Sequence, residues 1–258
     1  MTLPVKLYND SQLSQVERNL KHIFEGLKAE IKFHGASPRG WIQVSVSGED
    51  DKVVTHYLAD KIGLCPIELQ NVGKYSRFKG FLIEPTKTKD ELHVDIGIFS
   101  PSNIDAVIPL HRLQSQLGDG RKIALDKLAE LFGFCRNLPL HIRVTSVDFQ
   151  KRHIEAELSE KQQSQYAEWT RSLLDRLLIL GASYNEVKSA ISMTQSNRDI
   201  VIIESLGIFE HAVVCKLGTD AAGLIPKIGK RLRKATLSVF NPRKILGLFG
   251  SNPTPSIS

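Results

Sequence analysis

In the stretch "ELHVDIGIF", Leu92, Val94, Ile96 and Ile98 fall on one face and His93 and Asp95 on the other. A period of two is the signature of an extended strand. The neighbouring sequence repeats it. "RFKGFLIEPT" comes before and "DAVIPL" after, and "LPLHIRVTSVD" and "HIEAELSE" follow beyond a gap. The gap, residues 111–137, reads as two short helices on either side of "GDG". A chain that must pair this many short strands within about 85 residues has few folds open to it.

Five strands with a helical insertion between the third and fourth is the pattern of a small OB-type β-barrel, here spanning residues 75–160. Before it, "VKLYND" reads as a strand. The helix that follows carries Leu13, Val16, Leu20, Ile23, Phe24 and Leu27 at helical spacing. "AEIKFHG" and "GWIQVSVSGED" form a hairpin about "ASPRG", and "GEDDKVVTHYLADKIG" reads as a second helix, acidic in its first turn and closed by Gly63. Residues 1–73 are thus predicted to be a small N-terminal α+β unit. Residues 161–250 read as a C-terminal helical and α+β unit. Trp169, Leu173, Leu174, Leu177 and Leu178 suggest an apolar stripe on one long helix. Ser183, with Glu186 three residues later, suggests a capped second helix, and two strand-like runs flank "SLG". Residues 251–258 are expected to form a flexible tail. The predicted fold class is α+β multidomain.

Charge divides unevenly along this chain. It has 34 Lys plus Arg against 28 Asp plus Glu, a formal net charge of +6. From Ala221 onward there are seven basic residues and no acid: Lys227, Lys230, Arg231, Arg233, Lys234, Arg243 and Lys244. The remaining 27 basic residues against 28 acids leave −1. The basicity of the protein therefore resides in its C-terminal segment, which points to a polyanion or an anionic surface. If Ile228 to Leu237 were helical, Lys227, Lys230, Arg231 and Lys234 would share one face, opposite Ile228, Leu232 and Ala235, with Arg233 at the edge. Such a row can follow a phosphate backbone and release its counterions. The apolar "ILGLFG" that follows would suit shallow membrane insertion, but a membrane surface is the lesser expectation.

Other motifs weigh less. "GTDAAG" holds Gly218, Thr219 and Gly223 in a strand-to-helix turn that could offer N–H groups to a phosphate. It lacks the Gly-Lys-Ser/Thr ending of a Walker loop. Arg39 beside Trp41, in an exposed-looking turn, could stack on a base. His211 and Cys215 lack a nearby group to orient them as a catalytic pair. Cys65, Cys135 and Cys215 are too scattered for a zinc knuckle or a disulfide framework and read as buried, reduced thiols. No metal, no cofactor and no catalytic residue is expected. "MTLPVKLYND" has no signal-peptide core, and no apolar run reaches the length of a membrane span. A cytoplasmic location is expected.

"KGFLIEP…ELHVDIGI…IDAVIPL…IRVTSVDFQKRHIEAELSE" resembles the S-one-type OB domain, through Val94-Asp95-Ile96-Gly97, Val144 to Asp148 and Ile154 to Ser159. That family places aromatics or histidine on exposed early strands, where bases stack. His93 holds one such place; Asp90 and Ile108 hold others, so the platform is incomplete. The layout of the later parts is similar to that of initiation-factor-two alpha subunits, an analogy of layout. Over nearly its full length the chain also resembles an archaeal family known as a domain of unknown function. The strings that carry this are "RGWIQVSVSGEDDKVVTHYLADKIG", "ELHVDIGI…IPLHRL" and "SNRDIVIIESLGIFEHAVVCKLGTDAAGLIPKIGKRL". The resemblance implies an archaeal, cytosolic origin and supplies no catalytic residue.

Together these readings predict a non-enzymatic RNA-binding or ribosome-associated protein that grips phosphates with its basic C-terminal segment. The expected partner is RNA or a ribonucleoprotein. The alternative is a protein-interaction adaptor on transcription or translation machinery with little RNA contact. A third reading, an enzyme acting on a phosphorylated substrate, would need Asp220, His211 and Lys216 gathered in one deep pocket.

Overall fold

Hydrophobic alternation and turn chemistry set most of the elements in the computed structural model, which describes residues 1–85 and 90–250. The chain divides into two units. One is Met1–Val72 with Ile96–Asn103, and the other is Gly73–Asp95 with the chain from Ile104 onward. The tail expected at residues 251–258 lies outside the described residues.

The first unit opens with β1 (Thr2–Lys6), α1 (Ser11–Ile23), β2 (Ala29–Ala36) and β3 (Trp41–Gly48). The strands form an antiparallel sheet in the order β1-β3-β2. The "ASPRG" hairpin forms as predicted. Helix α2 (Asp51–Tyr57) runs on as a π-helical turn, Leu58–Ile62, and stops at Gly63, whose φ of +91° suits glycine. The short strand β4 (Ile67–Glu68) pairs in parallel with the chain from Ile98 to Ser100, Ile67 opposite Ile98. Leu3, Val16, Leu20, Ile42, Val54 and Leu58 are buried. Gly97 is needed here, because at φ +83° a Cβ would stand 2.6 Å from the Cβ of Cys65.

The barrel strands are β5 (Arg77–Leu82), β6 (Glu91–Ser100), β7 (Ile104–Pro109), β8 (Pro139–Asp148) and β9 (His153–Leu158), all in the second unit except β6 from Ile96 on. The strands run β6-β5-β8-β9-β7, and β7 closes on β6. β7 and β9 are parallel, while β5–β8 and β8–β9 are antiparallel. This is the OB arrangement. Helices α3 (Leu110–Gly118) and α4 (Leu125–Phe132) occupy the insertion that the sequence places between the third and fourth strands. Leu92, Val94, Ile108, Leu140, Ile142 and Ala156 are fully buried.

After the barrel come α5 (Glu160–Arg171), β10 (Arg176–Leu180), α6 (Tyr184–Met193), β11 (Ile200–Ser205), β12 (Glu210–Cys215), α7 (Ala221–Ile228), β13 (Thr236–Phe240) and α8 (Pro242–Phe249). The sheet order β11-β12-β10-β13, antiparallel throughout, is the split β-α-β-β-α-β arrangement. One face packs on α6 and α7 through Leu177, Ile179, Val187, Val213, Leu224 and Ile228. The other face meets α4 and α5 through an aromatic cluster. Tyr166 stacks on Phe240 at 5.9 Å between centroids, and Trp169 meets Phe240 edge-on at 5.2 Å. The long apolar helix predicted through Trp169 to Leu178 does not form. α5 ends at Arg171, Leu173 turns with φ +58°, and Leu177 and Leu178 lie in β10. A short run that is buried on every side has the same hydrophobic pattern as a strand or a helix, and the sheet decides between them. Among the described residues no helix is long and apolar enough to cross a membrane.

Candidate nucleic-acid interface

The basic segment does not continue α7. The helix ends at Ile228, and residues 229–235 are turns that lead straight into β13. The single cationic helix face anticipated for Lys227 to Lys234 is therefore absent. Pairing of β13 with β10, Thr236 opposite Leu180, takes the backbone that the helix would have needed. The inward half of the expectation survives: Leu232 is 9% exposed and Ile228 fully buried. With Leu232 held inward, Lys227, Lys230, Arg231, Arg233 and Lys234 all remain exposed. Lys230, Arg231, Arg233 and Lys234 form one wall of a cleft of about 380 Å³, and Gly181, Ala182 and Glu186 form the other. Among the described residues none of these lysines and arginines has an ion-pair partner. The barrel differs. There Arg112 bridges Glu155 and Glu157, and Arg143 bridges Glu157 and Glu160.

Glu186 is less free than its place in the cleft suggests. The N–H and Oγ–H of Ser183 both donate to Glu186 Oε2 at 2.7 Å, and the Glu186 N–H points back to Ser183 Oγ. This is the capping box that the spacing of the two residues predicts. It fills the start of α6 with the protein's own carboxylate.

The other expected contacts fare differently. Arg243 and Lys244 are exposed at the start of α8, but Lys244 pairs with Glu130 at 3.3 Å. Arg243 lines a separate hollow of about 150 Å³ together with Asp175, Lys216, Gly218, Thr219 and Asp220. At the expected phosphate-contacting turn of Gly218, Thr219 and Gly223, two of the three N–H groups already have partners within the protein. Thr219 N–H donates to the Lys216 carbonyl (2.9 Å) and Gly223 N–H to the Asp220 carbonyl (3.2 Å). Ala221 N–H donates to Asp175 (3.3 Å) and Ala222 N–H to Asp220 (3.0 Å). Two carboxylates thus already accept from the N–H groups that open α7. The site imagined for Asp220, His211 and Lys216 does not assemble either, since His211 faces Ile179 near the opposite end of β12 from Lys216.

Trp41 is also corrected. It is 1% exposed, because β3 turns its first residue into the core of the first unit, so it offers no stacking face. Arg39 is half-buried in the turn before it. His93, on the barrel, lies 3.0 Å from Glu91 and is also half-buried. The thiols of Cys135 and Cys215 are pushed up to about 12 and about 11 by burial, far from nucleophilic use at neutral pH.

Two features escaped the sequence reading. Tyr184, the first residue of α6, is 44% exposed and rests edge-on against the ring of buried His211, 6.0 Å away. It follows Ala182 and precedes Glu186, both cleft residues. The second feature is another cleft of about 340 Å³, where the barrel meets the C-terminal sheet, lined by His141, Lys161, Gln165, Glu168, Ser205 and Leu206. Burial, with Lys161 and Lys79 nearby, pushes His141 down to about 4 and keeps it neutral. Lys79 Nζ donates to the Leu206 carbonyl at 2.8 Å and pins the β11–β12 turn to the barrel. Burial also lowers the Lys79 pKa, an effect that Glu210 opposes. These residues are spread from 79 to 210 in sequence, and no local spacing connects them.

Residues 72–170 match the family model of the DUF2110 central domain, and residues 174–240 that of the DUF2110 C-terminal domain. No curated protein matches the chain. Among solved structures, the uncharacterized protein MJ1198 from Methanocaldococcus jannaschii is 11% identical over 34% of this chain and 95% of its own, with a TM-score of 0.24. The a/eIF2alpha-aDim2p-rRNA complex from Pyrococcus horikoshii OT3 matches at 11% identity over 48% of this chain and 64% of that one, TM-score 0.24. A multidomain protein with nucleic acid binding domains from Streptococcus pneumoniae matches at 9% identity over 79% and 52%, TM-score 0.21.

Proposed function

The chain belongs to the DUF2110 family, and for it we propose a non-enzymatic RNA-binding function in which the basic turns after α7 hold phosphates. One observation carries the reading: Lys230, Arg231, Arg233 and Lys234 stand together on one cleft wall, exposed and without acidic partners among the described residues, on a surface whose inner side is anchored by Leu232. Protein surfaces usually intersperse acids among such cations. A cluster left uncompensated attracts polyanions and gains from the counterions they release.

The test is binding of a fluorescent RNA by the full chain across a salt series, beside a variant with Lys230, Arg231, Arg233 and Lys234 changed to Glu. Four phosphate contacts on a single strand predict an affinity loss of about 50-fold between 50 and 200 mM salt, from a slope of about −0.7 per contact. The variant should bind at background. Affinity independent of salt, or equal in the two proteins, would overturn the proposal.

A further inference from the structure

We infer that the RNA is a single strand that runs around one end of the C-terminal sheet, from the basic cleft past Tyr184 into the second cleft beside the barrel. This rests on the RNA reading above and adds a second binding site to it. The sheet register carries the argument. Leu180, the last residue of β10, pairs with Thr236 at the start of β13 and with Glu210 at the start of β12, while Ser205 at the end of β11 pairs with His211. The basic turns therefore end where β13 begins, and the second cleft opens where β11 ends. Both lie at the same end of one sheet. Its order β11-β12-β10-β13 puts three strand spacings, about 14 Å, between them. That is the length of about four stacked nucleotides.

The ground between is built to carry a strand. His211 Nε2–H donates to the Ala182 carbonyl at 3.1 Å, which leaves Nδ1 to accept from Ser205 Oγ at 3.4 Å. This chain of contacts ties a wall residue of one cleft to a wall residue of the other, and the exposed Tyr184 ring lies upon it. An aromatic face between two clefts suits a base. The clefts differ in chemistry as a strand would require. The first is cationic and suits phosphates. The second sets Lys161 and Glu168 beside the neutral His141 and Gln165, a mixed set of donors and acceptors that suits a base edge. A duplex is too stiff to turn around so short an edge.

The experiment uses the full chain, unstructured oligouridine RNAs of four and ten nucleotides, and a ten-base-pair RNA duplex, all labelled and read by anisotropy at low salt. The variants are Lys161→Glu, Tyr184→Ala and Tyr184→Phe, each at an exposed position and each checked for folding by circular dichroism. The ten-nucleotide strand should bind at least tenfold more tightly than the four-nucleotide strand and the duplex. Lys161→Glu should erase that gain while leaving the short strand unchanged. Tyr184→Ala should weaken the longer strand about 5- to 150-fold, and Tyr184→Phe should restore it. If RNA binds through the basic turns but the duplex competes equally, or Lys161→Glu and Tyr184→Ala change nothing, the path is wrong and the RNA reading stands. If no RNA binds, or the charge-reversed basic turns bind as well as the parent, both fall, and a protein partner takes their place.

Discussion

Histidines 141 and 211 carry a pH dependence that follows from where they sit. Burial lowers the pKa of both, to about 4 for His141 from an ordinary 6.5, and for His211 the hydrogen bond to Ala182 offsets only part of the effect. The folded state keeps the rings neutral while the unfolded chain takes up protons. Stability should therefore hold above about pH 6.5 and fall as pH drops from there toward about 4. Urea unfolding at pH 7.5, 6 and 5 measures this, and His141→Gln should flatten the slope. A second residue-scale effect sits at Gly133, which closes α4 at φ +70°. A Cβ there would meet Leu178 Cδ1 at 2.8 Å and the Val239 carbonyl oxygen at 2.9 Å. Gly133→Ala should cost about 1–3 kcal/mol, from the left-handed backbone together with the collision, read as a lower urea midpoint with an unchanged slope.

Among the elements, α6 and β13 do the most to shape the basic cleft. The Ser183–Glu186 capping box fixes where α6 begins, so Ser183→Ala should lower stability by about 1 kcal/mol. β13 matters through its last residue. Phe240 is fully buried and touches Phe132, Tyr166 and Trp169. Phe240→Ala should cost about 3–5 kcal/mol, and because β13 holds the end of the basic turns, the surviving folded protein should also bind RNA more weakly. Calorimetry and anisotropy on one preparation separate the two effects. The capping box was legible from two residues three apart. The end of α7 at Ile228 was not, because "KIGKRLRKA" keeps helical spacing of its apolar residues, and only pairing of Thr236–Phe240 with β10 draws the chain out of the helix.

For the molecule as a whole, the first unit is not a contiguous segment. Ile96–Asn103 belongs to it, through the pairing of Ile67 with Ile98 and the fit of Gly97 against Cys65. A fragment of residues 1–73 lacks those partners, and Cys65, 7% exposed in the full chain, loses the neighbour that covers it. That fragment should show poorly dispersed amide resonances, whereas the full chain shows dispersed ones. A dispersed spectrum from the fragment would mean that β1–β3 and the two helices suffice alone.

The sequence by itself determined the OB barrel, the N-terminal hairpin and the placing of excess positive charge after Ala221. Each of these is signalled by local period, turn residues or a count of charges, although closing the barrel takes the distant pairings of β5 with β8 and β7 with β9. Tertiary structure decided what those charges face. It turned Trp41 inward, gave the N–H groups of Thr219, Ala221, Ala222 and Gly223 to Asp175, Asp220 and backbone carbonyls, and broke the apolar run after Arg171 into a strand. It also joined His141, Lys161 and Ser205 in one cleft and set Tyr184 on His211. Burial and site geometry come from strands that pair across long stretches of chain, and the pattern of neighbouring residues carries no record of such pairing.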